Sequence, residues 1–236
     1  MGTPDKRGIL YGSGLCPFDF AQRICKNIVM RSVLCFGDSN TYGYIPGGLG
    51  RYPFEKRWPG ALEMLLAPEW RVIEEGLCGR TTVFREADRP WRAAIDYIAP
   101  CAATHRPFDI AAVMLGTNDC KCEFGASADM IAQGLMKVLR VLMAEVYSTT
   151  RVLVIAPPPL CRGLDSGRDF GFDENSRAVS LELAEKFAKA ARETGCLFFD
   201  AGSVASASPT DSVHMDKESH IALARAVAEI LRREFG

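Results

Sequence analysis

Nowhere in the 236 residues does an apolar run approach the ~20 residues that a membrane-crossing helix needs; the longest are strand-length and soon meet a charge or a glycine. An excess of charge of one sign is also missing, because 28 Lys and Arg stand against 29 Asp and Glu, a formal charge of −1. No global field recruits nucleic acid or an anionic membrane surface, so a soluble protein with neither partner is expected. The nine cysteines lack the paired spacing of a zinc ribbon or a disulfide framework. Cys120 and Cys122 flank one lysine with no second Cys pair or His-x-x-x-His nearby, so no metal site is expected. Free thiols fit a reducing cytoplasm, where the protein is expected to reside.

What is present is ample core material, with 48% of residues hydrophobic and 24% charged, a balance foreign to disordered, collagenous or coiled-coil chains. Residues 1–29 read as an N-terminal extension. Lys6 and Arg7 precede a mildly apolar stretch, but Asp19 interrupts it and no A-x-A-like cleavage site follows, so a secretory signal is not expected. Met30, just before the first strong strand, is an equally good start of translation. Residues 30–236 carry no Pro/Gly/Ser-rich linker and no internal repeat, which predicts one domain.

Strand-length apolar runs at residues 33–36, 71–74, 110–115, 152–156 and 197–199 alternate with helical patterns. Several are continuously apolar, as a parallel sheet covered on both faces requires. Ser127 caps a predicted helix with Ile131, Leu135, Val138, Leu142 and Val146 along one face. A second spans residues 175–194, with Gly195 placed to end it in a left-handed conformation, and a third begins near Asp216. Pro59 and Pro90 are placed as first-turn residues of two shorter helices. The rhythm predicts an α/β fold. Two long segments, 42–57 and 157–174, follow strands at the sheet end where such folds bind ligands.

The first strand runs into Gly37-Asp38-Ser39, which would lift a serine hydroxyl above the sheet edge. Alone, Asp38 and Ser39 are equally good cap and turn residues. The motif is not the G-x-S-x-G elbow, since position 41 is Thr, and it lacks the lysine of a phosphate-binding loop. Near the other end stands Asp211-Ser212-Val213-His214. A serine nucleophile needs an imidazole to accept its proton and a carboxylate to hold the imidazole, and Asp-x-x-His supplies both types; alone, the pair also reads as a cap and a surface histidine. Donors for an oxyanion are offered by the loop with Gly79 and by Gly116-Thr117-Asn118-Asp119, each of which is by itself an ordinary turn.

All four blocks together, in this order and at the same end of a parallel sheet, resemble the SGNH (GDSL) hydrolase family. The resemblance implies a flavodoxin-like three-layer α/β/α sandwich whose five parallel strands run in the order 2-1-3-4-5. It implies Ser39 as nucleophile, His214 as general base and acid, and Asp211 as its orienting carboxylate. The N–H groups of Ser39 and Gly79 and the Asn118 side chain would form the oxyanion hole, with no cofactor.

VLCFGDS at residues 33–39, VIEEGL at 72–77, MLGTND at 114–119, APPPL at 156–160 and FDAGSV at 199–204 look like the arylesterase and acyltransferase branch. Its members act on short-chain and aryl esters, some transfer acyl groups to alcohols or peroxide, and they tend to form homo-oligomers. The sequence departs from that branch at Asn40, Tyr42, Tyr44 and Cys78, which with Asp38 are the residues expected to border the acyl pocket. The aromatic loop of Tyr42, Tyr44, Tyr52, Phe54 and Trp58 reads either as packing or as pocket lining. His105 reads as a helix-end residue and His220 as a packed one. Two other functions stay open: a carbohydrate acetyl esterase using the same apparatus, and a flavodoxin-like module binding a nucleotide or flavin.

Overall fold

The computed structural model describes residues 30–48, 50–164 and 170–236; the extension expected over residues 1–29 lies outside them. Five parallel strands, β1 (Arg31–Gly37), β2 (Trp70–Gly76), β3 (Ile110–Met114), β4 (Arg151–Ala156) and β5 (Leu197–Asp200), form one sheet in the order 2-1-3-4-5. This is the sandwich that the resemblance implied. Among the described residues there are six α-helices: α1 (Ser39–Tyr42), α2 (Trp58–Leu66), α3 (Ala94–His105), α4 (Ala128–Glu145), α5 (Glu174–Thr194) and, after the last strand, α6 (Lys217–Phe235).

The period of two in the strands explains the layers. Leu34, Phe36, Ala111, Val113, Val152 and Val154 face a core shared with α3, α4 and α5. Val33, Cys35, Ile110, Ala112, Leu153 and Ile155 face a second core, closed by α2 and α6. Both faces of the central strands are dry, so their sequences read as unbroken apolar runs.

The helix ends follow the expected chemistry. Ser127 accepts from the Met130 N–H at α4, Asp173 and Ser176 form a capping box at α5, and Asp216 accepts from the Ser219 N–H at α6. Gly195 closes α5 at φ 70°. Pro59 lies in the first turn of α2. Two expectations need correction. Pro90 opens only a 3-10 turn, Pro90–Arg92, because the next residue, Ala93, is extended (φ −67°, ψ 117°) and α3 starts after it. Val146 is not helical: it terminates α4 in an extended conformation (φ −105°, ψ 166°) while its side chain still packs on the core. Among the described residues no helix is long and apolar enough to cross a membrane, and the seven described cysteines are free thiols.

The order 2-1-3-4-5 sends the chain to one side of β1 and then back to the other. The loops after β1 and β3 therefore diverge at the carboxyl edge and leave a crevice between them.

Candidate active site

The site is assembled from the segments following β1, β2, β3 and β5. Gly37, the last residue of β1, is where a side chain cannot fit: a Cβ would lie 2.1 Å from Thr41 Oγ1 and 2.6 Å from the Met114 carbonyl. That close approach lets α1 fold directly over the strand end. Asp38 caps it by accepting from the Asn40 N–H at 2.9 Å, and Ser39 becomes its first residue.

Ser39 Oγ stands 3.0 Å from His214 Nε2, and His214 Nδ1 stands 2.8 Å from Asp211 Oδ2. Asp211 is held in turn by the N–H groups of Val213 and His214, which donate to Oδ1, and of Gly47, which donates to Oδ2. Burial alone would raise the Asp211 carboxyl. The hydrogen bonds from the His214 ring and backbone and from the Val213 N–H outweigh it and hold the group below its usual value. An ionised Asp211 selects the His214 tautomer with its proton on Nδ1, leaving Nε2 free to accept from the serine. Asp211 does not cap α6; Asp216 does that.

Gly79 and Asn118 face Ser39 across the same cleft. Gly79 adopts φ +79°, a left-handed conformation costly for other residues, and its N–H has no partner among the described residues. Asn118 Nδ2 donates to the Arg80 carbonyl at 3.1 Å, which fixes the amide plane and leaves its second hydrogen available. Asp119, completely buried, points the other way: both its oxygens accept from the Thr82 N–H, at 2.9 and 3.1 Å, and Oδ1 also accepts from the Thr82 hydroxyl. Burial pushes its carboxyl up to about 7 against those hydrogen bonds. Asp119 therefore ties the loop after β3 to the loop after β2. Arg80 braces the same junction from below, donating to the carbonyls of Gly37 and Glu75 with its guanidinium 4.1 Å from the Phe36 ring centroid.

The cleft encloses about 330 Å³. Of the five residues expected to border it, Tyr44 and Cys78 do so, and Asp38, Asn40 and Tyr42 do not. Asp38 is turned into the protein, where burial pushes its carboxyl up to about 6 against the Asn40 N–H and the nearby His214. Asn40 Oδ1 accepts from the Met215 N–H at 2.9 Å, joining α1 to the segment that carries His214. Tyr42 lies beneath the Arg51 guanidinium, 4.3 Å from it. In the aromatic loop Trp58 is core and Tyr52 packs edge-on to His220, so only Tyr44 acts as lining. Its ring centroid is 4.3 Å from that of His214, and Phe170 stands T-shaped to both rings, 5.6 Å from His214 and 6.4 Å from Tyr44.

His105 ends α3, with Nε2 2.8 Å from Glu75 Oε1, and His220 is fully buried with Nδ1 accepting from the Trp58 N–H. Glu75, Cys101 and His105 bring three potential metal-binding atoms within 4.8 Å of one another, outside the cleft lining. The Arg80 guanidinium beside Glu75 opposes a cation there.

Sequence reasoning missed the charged lining of the cleft, Glu86, Arg89, Arg92 and Lys121, and the rings of Phe170 and Phe172. The one available signal was position: Arg89 and Arg92 follow the glycine loop, and Lys121 comes three residues after Asn118.

The fold and the converging residues define an ester hydrolase of the SGNH type. The chain belongs to the GDSL-like lipase/acylhydrolase family, which matches over residues 35–221. It is similar to a carbohydrate acetylesterase from Sinorhizobium meliloti, with 35% identity over 87% of this chain and 100% of that one (TM-score 0.81). It is similar also to the aryl esterase of M. smegmatis, with 34% identity over 86% and 99% (TM-score 0.80). No curated protein matches the sequence.

Proposed function

We propose that the protein is a serine esterase acting on short-chain or aryl carboxylic esters through an acyl-serine intermediate. The observation that carries this reading is the continuous relay from Ser39 Oγ to His214 Nε2 at 3.0 Å and from His214 Nδ1 to Asp211 at 2.8 Å.

The ester carbonyl lies between Ser39 and the donors. His214 Nε2 takes the hydroxyl proton as Oγ bonds to the carbonyl carbon. The charge on the carbonyl oxygen is met by the Ser39 and Gly79 N–H groups and Asn118 Nδ2. Collapse of this intermediate breaks the carbon–oxygen bond to the alcohol, which leaves with the proton from Nε2. Water then repeats the sequence on the acyl-serine: it gives a proton to Nε2, and Oγ recovers it as the acid departs. An alcohol or peroxide in place of that water makes the same steps an acyl transfer.

A cleft of about 330 Å³ is at the small end of ligand sites, which favours a short acyl chain or one ring over a long fatty chain. A second reading, deacetylation of a carbohydrate, is favoured by the likeness to the S. meliloti acetylesterase. Membership of the hydrolase family sets aside the nucleotide- or flavin-binding module. Rates on phenyl acetate, phenyl octanoate and acetylated xylose separate the readings. The proposal expects phenyl acetate to be the best substrate and Ser39→Ala to abolish turnover. Undiminished hydrolysis by Ser39→Ala would contradict it.

A further inference from the structure

The cleft is lined by side chains of two kinds, the rings of Tyr44, Phe170 and Phe172 and the charged groups of Glu86, Arg89, Arg92 and Lys121. Both Glu86 oxygens are occupied: Oε1 accepts from Lys121 Nζ, and Oε2 accepts from Arg92 Nη1 at 2.7 Å. Burial alone would raise the Glu86 carboxyl, but its bonds to Lys121 and Arg92 prevail and hold it below the usual range, so it is ionised. A single carboxylate cannot neutralise two cations. Arg89, exposed in the same cleft, has no ion pair among the described residues. The lining thus carries a surplus of two positive charges in a chain whose formal charge is −1.

One of these cations, Arg92, lies against the reacting centre. A Cβ on Gly79 would come within 2.5 Å of Arg92 Nη1, so the guanidinium rests directly on the loop that supplies an oxyanion donor. In a cleft that is also lined by aromatic rings, field lines from these cations are focused on the bound molecule rather than dispersed in water. A neutral aryl or sugar ester gives Arg89 nothing to bind. A carboxylate gives it a fork-to-fork partner.

We propose that the cleft selects esters that carry a carboxylate on their acyl or alcohol part, with Arg89 as its direct partner and Arg92 and Lys121 completing the positive lining. The inference rests on the esterase reading above and names the substrate class of that same site.

Two matched pairs test it: para-acetoxybenzoate against its methyl ester, with the charge on the alcohol side, and monophenyl adipate against phenyl hexanoate, with the charge on the acyl side. In at least one pair kcat/KM should favour the anion by about tenfold, and that pair identifies the side on which the charge is read. The ratio should shrink with added salt, fall in Arg89→Gln and approach one in Arg89→Glu. Turnover of the neutral esters with no preference for the anion in either pair would overturn the inference and leave the esterase reading standing. A preference that survives in both Arg89 variants would overturn it as well. Failure of the wild type to hydrolyse any of the four esters would instead overturn the esterase reading, and this inference with it.

Discussion

Ser39 and His214 are 175 residues apart in the chain, yet Ser39 Oγ and His214 Nε2 are separated by 3.0 Å. The sheet achieves this by delivering the segments after β1 and β5 to one edge. Asn40 then fastens the two directly, its side-chain oxygen accepting from the N–H of Met215, the residue after the histidine.

Asp211 fixes the imidazole, so Asp211→Asn should leave the fold intact and lower kcat by about 10⁴-fold, because an amide permits the wrong tautomer. Steady-state kinetics with a chromogenic acetate, alongside circular dichroism, measure both parts. A loss below about tenfold would assign Asp211 a structural role only.

The oxyanion donors are separable from the relay. Asn118→Ala should lower kcat by about 10²–10³-fold with little change in KM, since the donor acts on charge that develops only in the transition state. Gly79→Ala should do comparable harm for a different reason: alanine at φ +79° is strained, and its methyl meets the Arg92 guanidinium. An increase in KM alone would show that these groups bind the ground state.

Cys78 lines the cleft beside Gly79, but burial and the nearby Asp38 raise its thiol against the opposing Arg92 and Arg51, which disfavours the thiolate a nucleophile requires. Cys78→Ala should therefore keep ester hydrolysis within a few-fold of wild type. Loss of activity comparable to that of Ser39→Ala would make the thiol the nucleophile instead.

His220 links pH to stability. Burial depresses its folded value to about 3, against a raising influence of Asp216. Below its ordinary 6.5 the unfolded chain takes up a proton that the folded one refuses. Its contribution is thus complete above pH 6.5 and lost as pH falls towards 3, at a slope approaching about 1.4 kcal/mol per pH unit. Denaturant unfolding across this window should show a shallower acid-side decline in His220→Gln than in wild type. Identical slopes would mean that His220 is not buried as the neutral ring.

The fold was legible because its strands are apolar on both faces and its long helices carry their own caps, Ser127 and Asp216 among them. Both signals are local in sequence. The relay was legible for a different reason: Ser39, His214 and Asp211 stand in short blocks whose order and residue types match a family pattern. The pocket was less so. Asp38, Asn40 and Tyr42 adjoin the serine in sequence, but the single turn of α1 directs them into hydrogen bonds and packing, away from the cleft. The residues that line it in their place, Glu86, Arg89, Arg92 and Lys121, come from segments without periodicity, and only the tertiary fold distinguishes them from ordinary solvated charges.

The most direct measurement is covalent capture of the nucleophile. A fluorophosphonate probe incubated with the protein, followed by peptide mass spectrometry, should place the label on Ser39 in the wild type and lose most of it in His214→Ala. Labelling of a different residue, or labelling of Ser39 at an undiminished rate without the imidazole, would contradict the relay.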